Sequence, residues 1–472
     1  MSNFLEISSC LKVQPQANQS LTSGLRLLCL SNGHGEDIIA VRILQELQQH
    51  STPIEIAALP IVGEGRAYTE LGIPLIGSVQ TMPSGGFIYM DGRQLVRDLR
   101  GGLLQLTLSQ IRAVRSWVRS QAEPGNAGGA ILAVGDIVPL LFAWLSGARY
   151  AFVGTAKSEY YVRDEAGTLS RQSQLSRLEN WSGSVYHPWE RWLMSRPRCR
   201  AVFPRDSLTT ETLQKWSTFS LQEPPSLLLT SSIPAFDLGN PMMDRLEPRT
   251  PVQTLHATSL LYSSEAWLEQ AHLTITLLPG SRAPEAYANW QQLLVAVAGL
   301  CDTFDERKLL FLGAIAPSLS LEPLRQSLVN AGFQQVSHPS PIPDPDALTF
   351  CNKYALLVLS QHGYNECLHF GDLALAMAGT ATEQFVGLGK PAIAIPGIGP
   401  QFTYAFAEAQ SRLLGSSLIL VQHPAQVVDV VQSLLREPER LQLIAENGFR
   451  RMGKPGAARR IAACLMQRLW QS

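Results

Sequence analysis

The chain has 472 residues, 45% hydrophobic and 16% charged, with a formal net charge of −1. That length holds two or three domains with a large core, and that composition excludes a disordered chain. The balanced charge provides no global basic field for nucleic acid. The seven cysteines are scattered, odd in number and without a Cys-x-x-Cys pair, which argues against a disulfide framework or zinc site and fits a reducing, cytoplasmic compartment.

Residues 1–24 are polar and Gln/Ser-rich, and read as a disordered lead-in without a signal core. No apolar run reaches the roughly 18–20 residues of a membrane span. Leu25 to Leu30 is the first strand-length apolar run. A loop, Ser31-Asn-Gly-His-Gly-Glu-Asp37, and a helical pattern from Ile38 to Gln48 follow it. Further strands are expected at Ile54–Pro60, Ala130–Val134, Tyr150–Val153 and Arg200–Phe203, with helices at Leu95–Ser120 and Leu208–Trp216. Prolines and turns then make 217–270 a linker-like stretch. The alternation restarts with a strand to Leu278, a helix over Glu285–Leu300 and a strand at Lys308–Leu312. Later strands fall near Tyr354–Leu359, Leu373–Ala378, Pro391–Ile395 and Ser417–Val421, and Pro424–Gln471 is helical with a break at Gly453–Gly456. The pattern predicts an α/β protein of two Rossmann-like lobes, 25–240 and 241–450, with 451–472 a C-terminal helix packing back on the amino lobe. Parallel sheets of this kind place ligands in the cleft at their carboxyl ends.

The most pointed motif lies in the second half. An apolar run ends at Gly379, Thr380-Ala-Thr-Glu383 opens a helix, and a second apolar run starts at Pro391. Free N–H groups at such a helix start hold a diphosphate, the hydroxyls of Thr380 and Thr382 add donors, and Glu383 suits ribose hydroxyls. An ordinary capped helix gives the same pattern. Upstream, Gly280 and Ser281 form a tight turn that places Arg282 at the cleft mouth, where its fork can neutralise phosphates. Gln401, after the next strand, reads either as a group for sugar hydroxyls or as a surface amide.

The Leu277-Leu-Pro-Gly-Ser-Arg282, Gly379-Thr-Ala-Thr-Glu383 and Gly389-Lys-Pro391 runs resemble those of lipid-A-disaccharide synthase. More loosely, Asn32-Gly-His-Gly-Glu-Asp37 stands where that family has Gly-Glu-x-Ser-Gly-Asp. Gly135-Asp136 and Gly239-Asn-Pro-Met-Met-Asp244 stand at two further family positions. The likeness spans Leu25 to Leu420. His34 in the opening loop and Ile137-Val-Pro-Leu-Leu141 after Asp136 depart from the family, which makes the chain a divergent relative. The resemblance implies a GT-B fold and an inverting, metal-independent hexosyltransferase with a UDP-sugar donor. It implies no cofactor, a GlcNAc-type sugar and a lipid-linked acceptor.

An inverting transfer needs a base for the acceptor hydroxyl. Asp136, at the end of an apolar strand, is the first candidate, with a helix cap as its alternative role. His34 is the second, made accessible by Gly33 and Gly35. Glu36 and Asp37 read as helix caps, although Asp37 matches an Asp of the family loop. Asp344-Pro-Asp346, held stiff by Pro343 and Pro345, reads as a turn rather than a metal site.

Two segments combine arginine with apolar residues. Residues 93–119 contain Arg93, Arg97, Arg100, Arg112, Arg115 and Trp117, and residues 186–205 contain Trp189 and Trp192. Each fits peripheral docking on anionic head groups at the cytoplasmic membrane face, or a lobe helix with a solvated basic side. A nucleotide-sugar epimerase or hydrolase, and a catalytically degenerate membrane-bound binding protein, are the other readings of the whole chain.

Overall fold

Each lobe is organised around one long buried strand. In the computed structural model, which describes residues 24–77, 103–120, 129–169, 182–219, 232–249, 271–304, 308–337, 340–353 and 355–470, the first apolar run forms β1 (Leu25–Asn32). It lies between β2 (Ile54–Val62) and β3 (Ala130–Gly135), and β4 (Arg149–Gly154) and β7 (Cys199–Phe203) follow, all parallel, in the order β2-β1-β3-β4-β7. All six residues of β3 are buried, as expected for a parallel strand covered on both faces. The covering helices are α1 (His34–Gln48), α2 (Leu103–Arg119), α3 (Ile137–Ser146), α4 (Pro188–Met194) and α5 (Ser207–Phe219). A small hairpin, β5 (Arg163–Asp164) with β6 (Gly167–Thr168), leaves this lobe after β4.

The second sheet has eight strands in the order β10-β11-β12-β9-β8-β13-β14-β15. Parallel pairing joins β8 (Ala271–Leu278), β9 (Lys308–Ala314), β12 (Ala355–Ser360), β13 (Leu373–Ala376), β14 (Ala392–Ala394) and β15 (Leu418–Leu420). At one edge β11 (Leu348–Asn352) runs antiparallel to both β12 and β10 (Gln334–Val336). The sequence pattern does not mark these two strands. β10 is three residues long and its Gln334 and Gln335 are exposed, and β11 follows a Pro-rich stretch. The helices of this half are α6 (Glu285–Thr303), α7 (Leu321–Asn330), α8 (Tyr364–Phe370), α9 (Thr380–Gly387), α10 (Tyr404–Leu414), α11 (Val427–Arg436) and α12 (Pro438–Met452).

The last helix, α13 (Ala457–Trp470), leaves this lobe and buries Ile461, Leu465 and Leu469 with Leu27, Ile43 and Ala151 of the amino lobe. Its start is held by Asp244, whose carboxylate accepts from the backbone N–H of Gly456 (2.5 Å), Ala457 (3.0 Å) and Ala458 (2.7 Å). An acidic group at the positive end of a helix dipole gives that capping its strength. The Gly239–Asp244 segment therefore acts as a structural clasp. Arg42 of α1 closes it from the other side by donating to the Pro241 carbonyl at 2.6 Å.

Candidate functional site

β8, β13 and β14 are neighbours, so the loops that follow them leave the same carboxyl edge. Buried polar side chains draw those loops together. Asn289 of α6 donates to the carbonyls of Pro279 (3.0 Å) and Met377 (3.5 Å), joining the first two. Glu285, also on α6, accepts from the backbone N–H groups of Gln401 (3.1 Å) and Phe402 (2.7 Å), holding the third. Gly280 has φ +98°, a conformation that favours glycine, and a Cβ there would stand a tight 3.3 Å from the Met377 carbonyl oxygen.

α9 begins at this junction. No side chain caps it at Gly379, and Gln410 steadies the Gly379 carbonyl at 2.9 Å. The first N–H groups of a helix have no intrahelical partner, and no side chain at Gly379 takes them up here. Thr380 is exposed at it, Ser281 and Arg282 are exposed on the turn after Gly280, and the side chain of Gln401 is exposed on the third loop. Two residues of the motif are committed elsewhere. Thr382 is fully buried and its hydroxyl donates to the Ala378 carbonyl at 2.5 Å, which leaves only its backbone N–H for a ligand. Glu383 is 8% exposed and is ion-paired at 2.6 Å with Arg205 of the amino lobe.

On the amino side, Gly33 (φ +124°) turns the chain from β1 into α1. His34 is the first residue of that helix; its side chain lies outside the described residues. Gly35 is exposed. Asp37 is buried against the lobe, where it accepts from the Ser31 hydroxyl at 2.6 Å, and Ser31 in turn accepts from Tyr68. Asp136 caps α3 by accepting from the Val138 N–H at 2.9 Å, and it also bonds to the side chain of Asn32. Asn32 is 7% exposed and its Oδ1 has no partner.

Glu36 is not a helix cap: it lies beside Asp136. Gly135 (φ +134°) leaves room for it: a Cβ there would stand 3.4 Å from Glu36 Cγ. The Thr155 hydroxyl, after β4, is 3.4 Å from Glu36 Oε1. Burial pushes the Glu36 carboxyl up to about 7, and the nearby Asp136 charge adds to the rise. Burial also raises Asp136, opposed by its Val138 hydrogen bond and by Lys157. Lys157 itself is held 2.5 Å from the buried Glu190. The ends of β1, β3 and β4 thus carry two carboxyls with raised pKa, an amide with an open acceptor and a hydroxyl. Such a group can take and return a proton near neutrality.

No local motif marks Arg205. Its usable signal is its position two residues after β7, at the carboxyl edge of the amino sheet.

The arginine-rich helices lie side by side on one face of the amino lobe, with α3 between α2 and α4. Trp189 and Trp192 are 54% and 45% exposed, and Leu108 of α2 and Leu141 of α3 are exposed as well. Trp192 packs edge-on against Trp144 at 5.3 Å and lies under Arg196 at 4.3 Å. Arg112 and Arg115 are exposed. Trp117 is not: its ring lies beneath Arg26 at 5.7 Å and against Gly129. Arg93, Arg97 and Arg100 lie outside the described residues. Among the described residues no helix is long and apolar enough to cross a membrane, and no His/Cys/Asp/Glu group could hold a metal ion. Asp344 instead braces its turn, accepting from Ser360 Oγ at 2.5 Å and from the His362 N–H at 3.1 Å.

No family model and no curated protein matches the sequence. Solved structures do. One assigned to a UDP-N-acetylglucosamine 2-epimerase of Listeria monocytogenes superposes with TM-score 0.53 at 12% identity, over 95% of this chain and 98% of that one. S. aureus MnaA with UDP gives 0.50 at 11% identity, over 94% and 96%. Identities this low establish the fold alone, and the fold is the two-lobed α/β architecture termed GT-B.

Proposed function

We propose that this chain is a lipid-A-disaccharide-synthase-related glycosyltransferase that moves a GlcNAc-type sugar from a UDP-sugar to a lipid-linked acceptor. One observation carries this reading. Three loops of the carboxyl lobe gather around an uncapped helix start, and Arg205 joins that helix to the amino lobe that carries the carboxyl pair. The helix start and Arg282 would bind the diphosphate, with the helix dipole and a guanidinium supplying the positive charge, without a metal ion. Asp136, or Glu36 beside it, would take the acceptor proton as the anomeric carbon is attacked from the face opposite UDP.

The test is calorimetric titration with UDP in the presence of a chelator. The wild type is expected to bind, and Arg282→Ala to weaken binding roughly 10- to 100-fold, the value of a charge-assisted contact of about 1.5–3 kcal/mol. Equal affinity of the two proteins would remove Arg282 from the site.

The acceptor would be reached from the cytoplasmic membrane face. Trp189, Trp192, Leu108 and Leu141 would enter the head-group layer, and Arg112 and Arg115 would meet anionic lipid. Co-sedimentation with phosphatidylglycerol vesicles is expected to fall several-fold in a Trp189→Ser, Trp192→Ser, Arg112→Gln, Arg115→Gln variant. Unchanged sedimentation would remove the docking surface.

The paired carboxyls also suit a nucleotide-sugar epimerase or hydrolase, since proton removal from a sugar carbon or from an attacking water needs the same groups. Turnover of UDP-GlcNAc with no acceptor present would favour that reading.

A further inference from the structure

Glu383 poses an electrostatic difficulty for the diphosphate site. It stands in the first turn of α9, so its carboxylate is a like charge beside any phosphate bound at that helix start. Arg205 answers it from the other lobe. Its guanidinium, 6% exposed, donates from Nη2 to Glu383 Oε2 at 2.6 Å and from Nη1 to the Thr155 carbonyl at 3.2 Å. One planar fork therefore holds the first turn of the donor-side helix and the strand end whose Thr155 hydroxyl meets Glu36. Tyr161 lies alongside the pair. A pair so secluded is screened little by salt and needs both partners in place.

We propose that Arg205 is a positioning residue of the donor site contributed by the amino lobe: it cancels the charge of Glu383 and fixes that carboxylate, so that the diphosphate site is complete only when the lobes are together. This rests on the UDP-sugar reading above. Lysine can supply the charge but cannot span both acceptors, and alanine supplies neither.

Titration calorimetry with UDP on the full chain tests it, using wild type, Arg205→Ala, Arg205→Lys, Glu383→Gln and the double variant Arg205→Ala/Glu383→Gln, each first checked by thermal melting. Arg205→Ala is expected to weaken UDP at least tenfold, and Arg205→Lys less. The double variant should bind within about threefold of Glu383→Gln alone, because the repelling charge is gone. A merely structural arginine would not be rescued in this way. If Arg205→Ala does not fold, the lysine variant and the double variant carry the comparison. Wild-type affinity in Arg205→Ala, or a double variant as weak as the two single losses combined, overturns the inference and leaves the UDP-sugar reading intact. A wild type that ignores UDP overturns both.

Discussion

Asp136→Asn is expected to lower sugar transfer by about two to four orders of magnitude while leaving UDP affinity within about threefold, the loss typical of removing a positioned general base. The substitution is a clean one for structural reasons. Asp136 is the N-cap of α3, and asparagine caps as well as aspartate, so the bond from Val138 survives and stability should move by no more than about 0.5 kcal/mol. The Asn32 amide, whose Oδ1 has no partner, can turn over to accept from the new side-chain N–H. What is lost is the ability to accept a proton. Measurement of turnover and of UDP affinity on the same preparation checks this, because a folding defect lowers both. Retained turnover would shift the base to Glu36 or His34.

Glu36→Gln should have the second-largest effect, on the pH dependence of stability. The folded-state pKa of Glu36 is raised to about 7, so the fold favours its neutral form. Its contribution is therefore full below the unfolded value near 4.5, and is lost as pH rises from there through about 7. One pKa unit corresponds to about 1.4 kcal/mol, and with discounting for partial solvent access the loss is on the order of 1–3 kcal/mol. Glutamine keeps the neutral shape and cannot ionise. The variant is expected to match the wild type at pH 4.5 and to exceed it in stability at pH 8, by denaturant unfolding at both pH values. If the wild type instead gains relative to the variant between those values, Glu36 is held ionised and its place beside Asp136 has a different meaning.

The two lobes were legible because their parallel strands are covered on both faces and read as unbroken apolar runs; β1, β3, β8 and β13 all stand where the sequence puts strands. The polar edge strands β10 and β11 lack that signal. Within the site, the turns were legible because their requirements are local. Gly280 is fixed by its φ and by the nearby Met377 carbonyl, and the α9 start by a glycine followed by two threonines. Long-range facts were not legible. The Arg205–Glu383 pair spans 178 positions. Adjacent Glu36 and Asp37 point about 100° apart on a helix, and nothing local says which of them faces the cleft. Trp117 shows the same limit, since an apolar–basic pattern does not reveal that its ring is covered by Arg26.

We propose that the loops after β8 and β13 grip a pyrophosphate through backbone amides and an arginine. A crystal structure of the protein with UDP, grown without divalent cations, tests it most directly. Diphosphate oxygens are expected within hydrogen-bond distance of the backbone N–H groups of 380–382 and of the Arg282 guanidinium. Nucleotide seated elsewhere, with Arg282 and the start of α9 making no contact to it, would contradict it.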